Sequence, residues 1–198
     1  KYVDMNKAVI DFFTDADDGE MYLFPNALYA EFFMYRKDKF EEYGLTAPTT
    51  WEEFVQVCAA LKEKGETPVV VGGAENWQIM RYLSFMPWRV THDGFIMGYI
   101  DQTDSFAQNE TAQNGVNLVK TMGENGYFQD GFISTDWTSA VSLFFGGSGC
   151  MFDSGGGQSD QASEMYANGQ LGIFPVPDVD GATNIQTNVP VHGGFGNA

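Results

Sequence analysis

Glu75-Asn76-Trp77 sets a carboxylate, a carboxamide and an indole side by side, directly after Gly72-Gly73-Ala74. A carboxylate and an amide can hydrogen-bond hydroxyls, and an indole face can stack on the C–H face of a sugar. The same residues also suit a helix start, with Asn76 as N-cap and Trp77 in the core, and on these residues alone neither reading is favoured. A second group is Asp153-Ser154-Gly155-Gly156-Gly157, which follows the apolar run Cys150-Met151-Phe152. A small-residue turn between a strand and a helix lets a ligand approach exposed N–H groups, and serves equally well as a plain tight turn.

Other chemistries find less support. Asp15-Ala16-Asp17-Asp18-Gly19 invites a calcium reading, but an EF-hand loop needs Gly sixth and Glu twelfth, whereas Gly19 falls fifth and Asn26 twelfth. A solvated acidic turn is expected instead, and no metal. Gly146-Gly147-Ser148-Gly149 does not run into the Gly-Lys-Ser/Thr of a phosphate loop, and no Gly-x-Ser-x-Gly elbow occurs. Cys58 and Cys150 lie in apolar stretches and read as small buried hydrophobes, with a single disulfide as the alternative; His92 and His192 stand far from both in sequence, which argues against zinc. No cofactor is implied. A glycosidase built on two carboxylates stays open, because its acids need only meet in space.

Charge narrows the partners. Ten Lys and Arg against 27 Asp and Glu leave a formal net charge of −17 among 198 residues. Such a balance argues against a nucleic acid, whose affinity is built from basic side chains, and disfavours anionic ligands and membrane surfaces. Aromatic residues make up 15%, and 43% of the chain is apolar, enough for a packed core. No stretch approaches the roughly 20 apolar residues of a membrane helix. The sequence has no signal peptide and no initiator Met, and its last residues, after a strand expected at 189–191, offer nothing to cover that strand. It is therefore read as part of a longer protein.

The elements that position these groups follow from periodicity. Residues 4–13 read as an amphipathic helix, 20–24 and 29–35 as strands, and 39–43 as a short helix capped by Asp38 and stopped by Gly44. Thr50 and Glu53 form a capping box for a helix that Gly65 ends. A strand at 68–71, a helix from Glu75 to 85, a loop-rich stretch at 88–108 and a helix at 111–122 come next. Asp136 caps a helix reaching Phe145; a strand at 150–152, a helix at 158–167 and a strand at 172–174 follow. Trp51 and Trp137 read as core residues beside helix starts. Strands alternating with helices predict an α/β fold with a mainly parallel sheet flanked by helices, in which ligands sit at the carboxyl ends of strands.

The order of several segments resembles the family 1 extracellular solute-binding proteins, the sugar-capturing subunits of ABC importers that include maltose-binding protein. The resemblance rests on Tyr22-Leu23-Phe24-Pro25, on the run from Tyr35 to Glu41, on Gly44-Leu45, on Pro48-Thr49-Thr50-Trp51-Glu52-Glu53-Phe54, and on Leu61-Lys62, Gly65 and Pro68. It continues through Phe145-Gly146, Cys150-Met151, Ile173-Phe174-Pro175-Val176-Pro177 and Gly193-Gly194. Arg36 stands where Asn is usual, and Gly157 where Trp is frequent.

The resemblance implies one lobe of a two-lobed (type II) periplasmic-binding-protein-like clamp. Residues 1–24 would lead into the first inter-lobe crossover, 25–192 form the C-terminal lobe, and 193–198 begin the second crossover. It further implies a non-enzymatic receptor for a neutral mono- or oligosaccharide, monomeric, working outside the cytoplasmic membrane as a lipoprotein or in the periplasm, and delivering its ligand to ABC permease subunits. Carried over by position, Glu75, Asn76, Trp77, Asp153, Gly155, His192 and Gly194 would line the ligand site, with Trp77 the stacking platform and Glu75 a hydroxyl acceptor. A carbohydrate-active hydrolase domain and a surface adhesion module are the alternative readings.

Overall fold

The computed structural model describes residues 7–23, 25–91, 94–155, 159–180 and 192–197. The strand expected at 189–191, the glycines at 156–157, His92 and the outer ends of the segments at 4–13 and 20–24 lie outside the described residues. In chain order the elements are α1 (Lys7–Phe13), β1 (Pro25–Arg36), α2 (Lys37–Tyr43), α3 (Trp51–Glu63), β2 (Val69–Val70), α4 (Trp77–Thr91), α5 (Gly94–Ile100), α6 (Glu110–Glu124), α7 (Trp137–Phe145), β3 (Met151–Gly155), α8 (Ser159–Ala167), β4 (Leu171–Phe174) and β5 (His192–Asn197).

The expected α/β class with flanking helices is present, but the sheet is mixed rather than mainly parallel. β2 pairs with β3 in parallel, whereas β1 pairs antiparallel with β3, β4 and β5. Hence β2 to β5 all point one way, and β1 alone runs against them from a central position. Two helices, α2 and α3, lie between β1 and β2, and β2 joins the sheet beside β3 rather than beside β1.

The carboxyl-terminal half of β1 packs on both faces, which explains its near-continuous apolar run. Phe33, fully buried, meets the rings of Trp51 and Phe54 on α3, Tyr82 and Phe85 on α4, and stacks on Phe174 of β4 at 5.0 Å. Its neighbour Met34 turns to the other face, where Val70, Phe152 and Leu171 pack with Ala140 and Phe144 of α7. Trp51 is core, as expected. Cys58 and Cys150 are buried free thiols, and burial pushes the Cys150 thiol up to about 12.

Local signals explain the helix ends. The Thr50–Glu53 capping box forms in both directions, and Gly44 closes α2 with φ 67°. Asp38 lies in the first turn of α2, not at its cap, and forms an ion pair with Arg36 at 2.6 Å. The acidic turn at Asp15 to Gly19 is closed by the Thr14–Met21 bridge, the described remnant of the strand expected at 20–24. Of the stretch expected to be loop-rich, residues 101–108 are turns and loop, whereas 88–91 end α4 and 94–100 form α5. Pro87 interrupts the helical pattern there and removes the N–H that would reach the Leu83 carbonyl. Gly115 of α6 fills that gap, its backbone so near that a Cβ would lie 2.3 Å from the Leu83 oxygen. Gly115→Ala therefore has to separate α4 from α6; a loss of about 1–3 kcal/mol is expected in chemical denaturation, and an unchanged midpoint would contradict this packing.

Candidate functional site

Two buried glutamines fix the carboxyl edge of the sheet. Gln129 bridges both polar groups of Val71: its Oε1 accepts from the Val71 N–H at 3.0 Å and its Nε2 donates to the Val71 carbonyl at 2.6 Å. Gln78, on the first turn of α4, accepts from the Gly72 N–H at 2.6 Å and donates to the Asp153 carbonyl at 2.8 Å. The ends of β2 and β3 are thereby tied to the start of α4. Gly72 lets the Trp137 backbone approach closely here: a Cβ would lie 3.1 Å from the Trp137 Cα. The N-termini of α4 and α7 thus converge on the carboxyl ends of the parallel pair, the position at which α/β sheets hold ligands.

Glu75-Asn76-Trp77 forms the turn into α4. Asn76 has φ 64°, a left-handed conformation that Asn tolerates better than most residues, and its carbonyl accepts the Met80 N–H. The Glu75 carboxylate accepts from the Trp137 N–H at 3.2 and 3.3 Å, so it caps the first turn of α7. Asp136 caps the same helix through the Ser139 N–H at 2.7 Å, a bond that holds its carboxyl below the usual aspartate range. Trp77 is 37% exposed, not a core residue. Trp137 is half-buried rather than core; its ring meets Trp77 at 4.8 Å with a 52° tilt and stacks on Phe152 at 5.3 Å. Phe152 stacks in turn on Phe144, so a file of rings runs from the surface into the core.

Beside this file stands an ion cluster that the sequence reasoning missed. Arg81, one turn along α4 from Trp77, places its guanidinium carbon 4.5 Å from the Trp77 ring centroid. The same guanidinium lies 2.5 Å from Glu31 Oε2 and 3.7 Å from Asp153 Oδ2. Asp153 is fully buried, so its carboxylate faces Arg81 and not the surface. Two signals could have revealed the cluster: Glu31 is the one charge among residues 25–35, and Arg81 follows Trp77 at the i+4 spacing that stacks side chains.

The strand register gathers most of the remaining candidates. Glu31 is opposite Gly155 on one side and His192 on the other, while Gly194 is opposite Tyr29, two residues earlier in β1. A separate groove of about 470 Å³ is lined by Trp51, Val55, Met86 and Leu118 together with Gln56 and Asn117; it shares no residue with this edge. Gln78→Leu would leave the Gly72 N–H unpaired. A loss of about 1–3 kcal/mol in urea denaturation is expected, and a variant as stable as the parent would remove Gln78 as the strap.

A family model described as bacterial extracellular solute-binding protein matches residues 2–196. The "Multiple sugar-binding protein" of Streptococcus mutans is 46% identical over 48 residues, 24% of this chain and 11% of that one. An uncharacterized ABC transporter extracellular-binding protein of Pyrococcus horikoshii is 27% identical over 172 residues, covering 82% of this chain and 38% of the relative. Among solved structures, a "Chitin oligosaccharide binding protein" superposes with a TM-score of 0.79 at 23% identity, covering 96% of this chain and 46% of that one. The chain thus spans less than half the length of each of these proteins, and the structural likeness carries the fold. With the model matching almost end to end, the chain belongs to the bacterial extracellular solute-binding protein family.

Proposed function

We propose that this chain is the C-terminal lobe of the carbohydrate receptor of an ABC-type sugar importer, and that Trp77 is its stacking platform. The observation that carries the reading is a half-exposed indole at the carboxyl edge of the sheet, braced from beneath by Trp137 and Phe152. Trp51, by contrast, is buried in the core, whereas Trp77 is held against Trp137 with surface to offer. The names of the relatives, a multiple sugar-binding protein and a chitin oligosaccharide binding protein, support a sugar as ligand.

β1 and β5, which lie paired along residues 25–31 and 192–197, carry the chain between the lobes. Residues 1–24 lead into the first crossing and 193–198 begin the second. The second lobe supplies the facing wall, and hinge closure on a neutral mono- or oligosaccharide presents the loaded conformer to the permease. The receptor is monomeric, has no catalytic role and works outside the cytoplasmic membrane, as a lipoprotein or in the periplasm. Around the platform, Asn76, Gly155, His192 and Gly194 line the cleft. Glu75 combines its capping bond to α7 with a carboxylate edge open to ligand hydroxyls.

The full-length protein should show a raised melting temperature with one or more sugars from a panel of neutral oligosaccharides, since binding to the native state stabilises it. Trp77→Ala should weaken that binding by roughly thirtyfold, the loss typical of an aromatic hot spot, with its unliganded melting temperature little changed. Binding equal to the parent's would refute the platform. Steady release of cleaved sugar would favour a hydrolase, and retention on a glycan polymer unaffected by free sugar would favour an adhesin.

A further inference from the structure

The short helix α5 turns most of its apolar surface to water. Phe95 alone among its seven residues is buried, whereas Ile96, Met97, Tyr99 and Ile100 are 44–63% exposed. The helix ends in an open bowl of about 510 Å³, lined by Tyr99, Ile100, Gln102, Asp104, Ser105 and Gln108. The bowl shares no residue with the Trp77 edge.

Its aromatic wall is held in place. Tyr99 meets the ring of Phe106 at 6.1 Å with the planes 72° apart, and Phe106 meets the buried Phe95 at 5.1 Å. A ring braced on one side and 55% exposed has a face to offer for stacking. The polar wall is arranged as well. The Asp104 carboxylate accepts from the Ser105 N–H at 2.7 Å and from Asn109 Nδ2 at 2.8 Å. Ser105 donates its hydroxyl to Gln108 Oε1 at 3.1 Å, which leaves the amide N–H groups of Gln108 for a ligand.

Gln102 carries the most information. The Thr103 N–H donates to the Gly98 carbonyl at 2.8 Å and the Gln102 N–H to the Tyr99 carbonyl at 3.3 Å. This pair of bonds closes a helix around one left-handed residue, usually glycine. Here Gln102 holds that position with φ 59°, at a steric cost that glycine would avoid. Its carboxamide is exposed and bonds to no other group among the described residues. A strained backbone that sets an idle carboxamide beside an exposed ring is the kind of arrangement found at binding sites. With no Lys or Arg in the lining and the carboxylate already engaged, the bowl suits hydroxyls and C–H faces rather than an anion.

Going beyond the receptor reading, we propose that this bowl is a second glycan site, in which Tyr99 stacks on a sugar ring of a neutral polysaccharide while Gln102 and Gln108 hydrogen-bond its hydroxyls. A polymer presents many copies of one ring, which raises the occupancy of an open and weak site.

The test is native electrophoresis of the full-length protein through gels that hold arabinoxylan, galactomannan or glycol chitin. At least one polymer should retard the parent, and an excess of oligosaccharide cut from that polymer should release it. Tyr99→Ala should weaken the apparent affinity for the polymer by roughly tenfold. Gln102→Gly should weaken it by about threefold yet raise the melting temperature by about 1–3 °C, opposite shifts that a purely structural residue would not give. This variant also keeps the test decisive should Tyr99→Ala fail to fold. Trp77→Ala should be retarded like the parent. Free movement of the parent in every gel, retardation that free oligosaccharide does not relieve, or retardation unchanged in Tyr99→Ala or Gln102→Gly overturns the proposal. So does its loss in Trp77→Ala, which would put the polymer in the receptor cleft. None of these results bears against the receptor reading, which stands or falls on small neutral sugars at Trp77.

Discussion

A strand packed on both faces can hold a charge only where an opposite charge meets it inside the fold. The carboxyl-terminal half of β1 is such a strand, and Glu31, 20% exposed at its start, is the single charge of β1 before Arg36. The neutralising partner, Arg81, comes from α4, which also packs on β1 through Tyr82 and Phe85. With Arg81 drawn toward Glu31 and Asp153, the residue one turn earlier, Trp77, is fixed at the rim. The guanidinium then covers part of the indole and holds it in place. Electrostatics and exposed aromatic surface are therefore one arrangement here, created by the burial of a central strand.

The direction of β1 has a consequence for the whole molecule. Because it runs against its three neighbours, its amino-terminal half lies beside β5 and its carboxyl-terminal half beside β4, with β3 on the opposite flank. The segment where these registers change over is residues 31–33, where Glu31 and Phe33 stand. Phe33 organises the rings of α3, α4 and β4 on the same face. A single stretch of three residues thus anchors the core and supplies the acid of the site.

Much of this was legible in the sequence where the cause is local. The Thr50–Glu53 box, the Gly44 stop and the Asp136 cap are read from adjacent residues and recur in the structure. Trp77 was legible as a candidate because its neighbours mark a strand-to-helix turn. What escaped depends on partners distant in sequence. α5 and the end of α4 were hidden by Pro87, whose effect is offset by Gly115 from another helix. The sheet's mixed character depends on the pairing of β1 with β3, β4 and β5, all distant from it in sequence. Glu31, Arg81 and Asp153 lie far apart along the chain and meet only through the register of β1 with β3 and the seating of α4 across them. The role of Glu75 as a cap for α7 likewise joins residues 62 apart.

A crystal structure of the full-length protein with its tightest sugar bound tests the central claim most directly. The account expects a sugar ring against the exposed part of the Trp77 indole, with Arg81 still paired to Glu31. A sugar seated instead in the groove between α3 and α6, with the indole untouched, would contradict it.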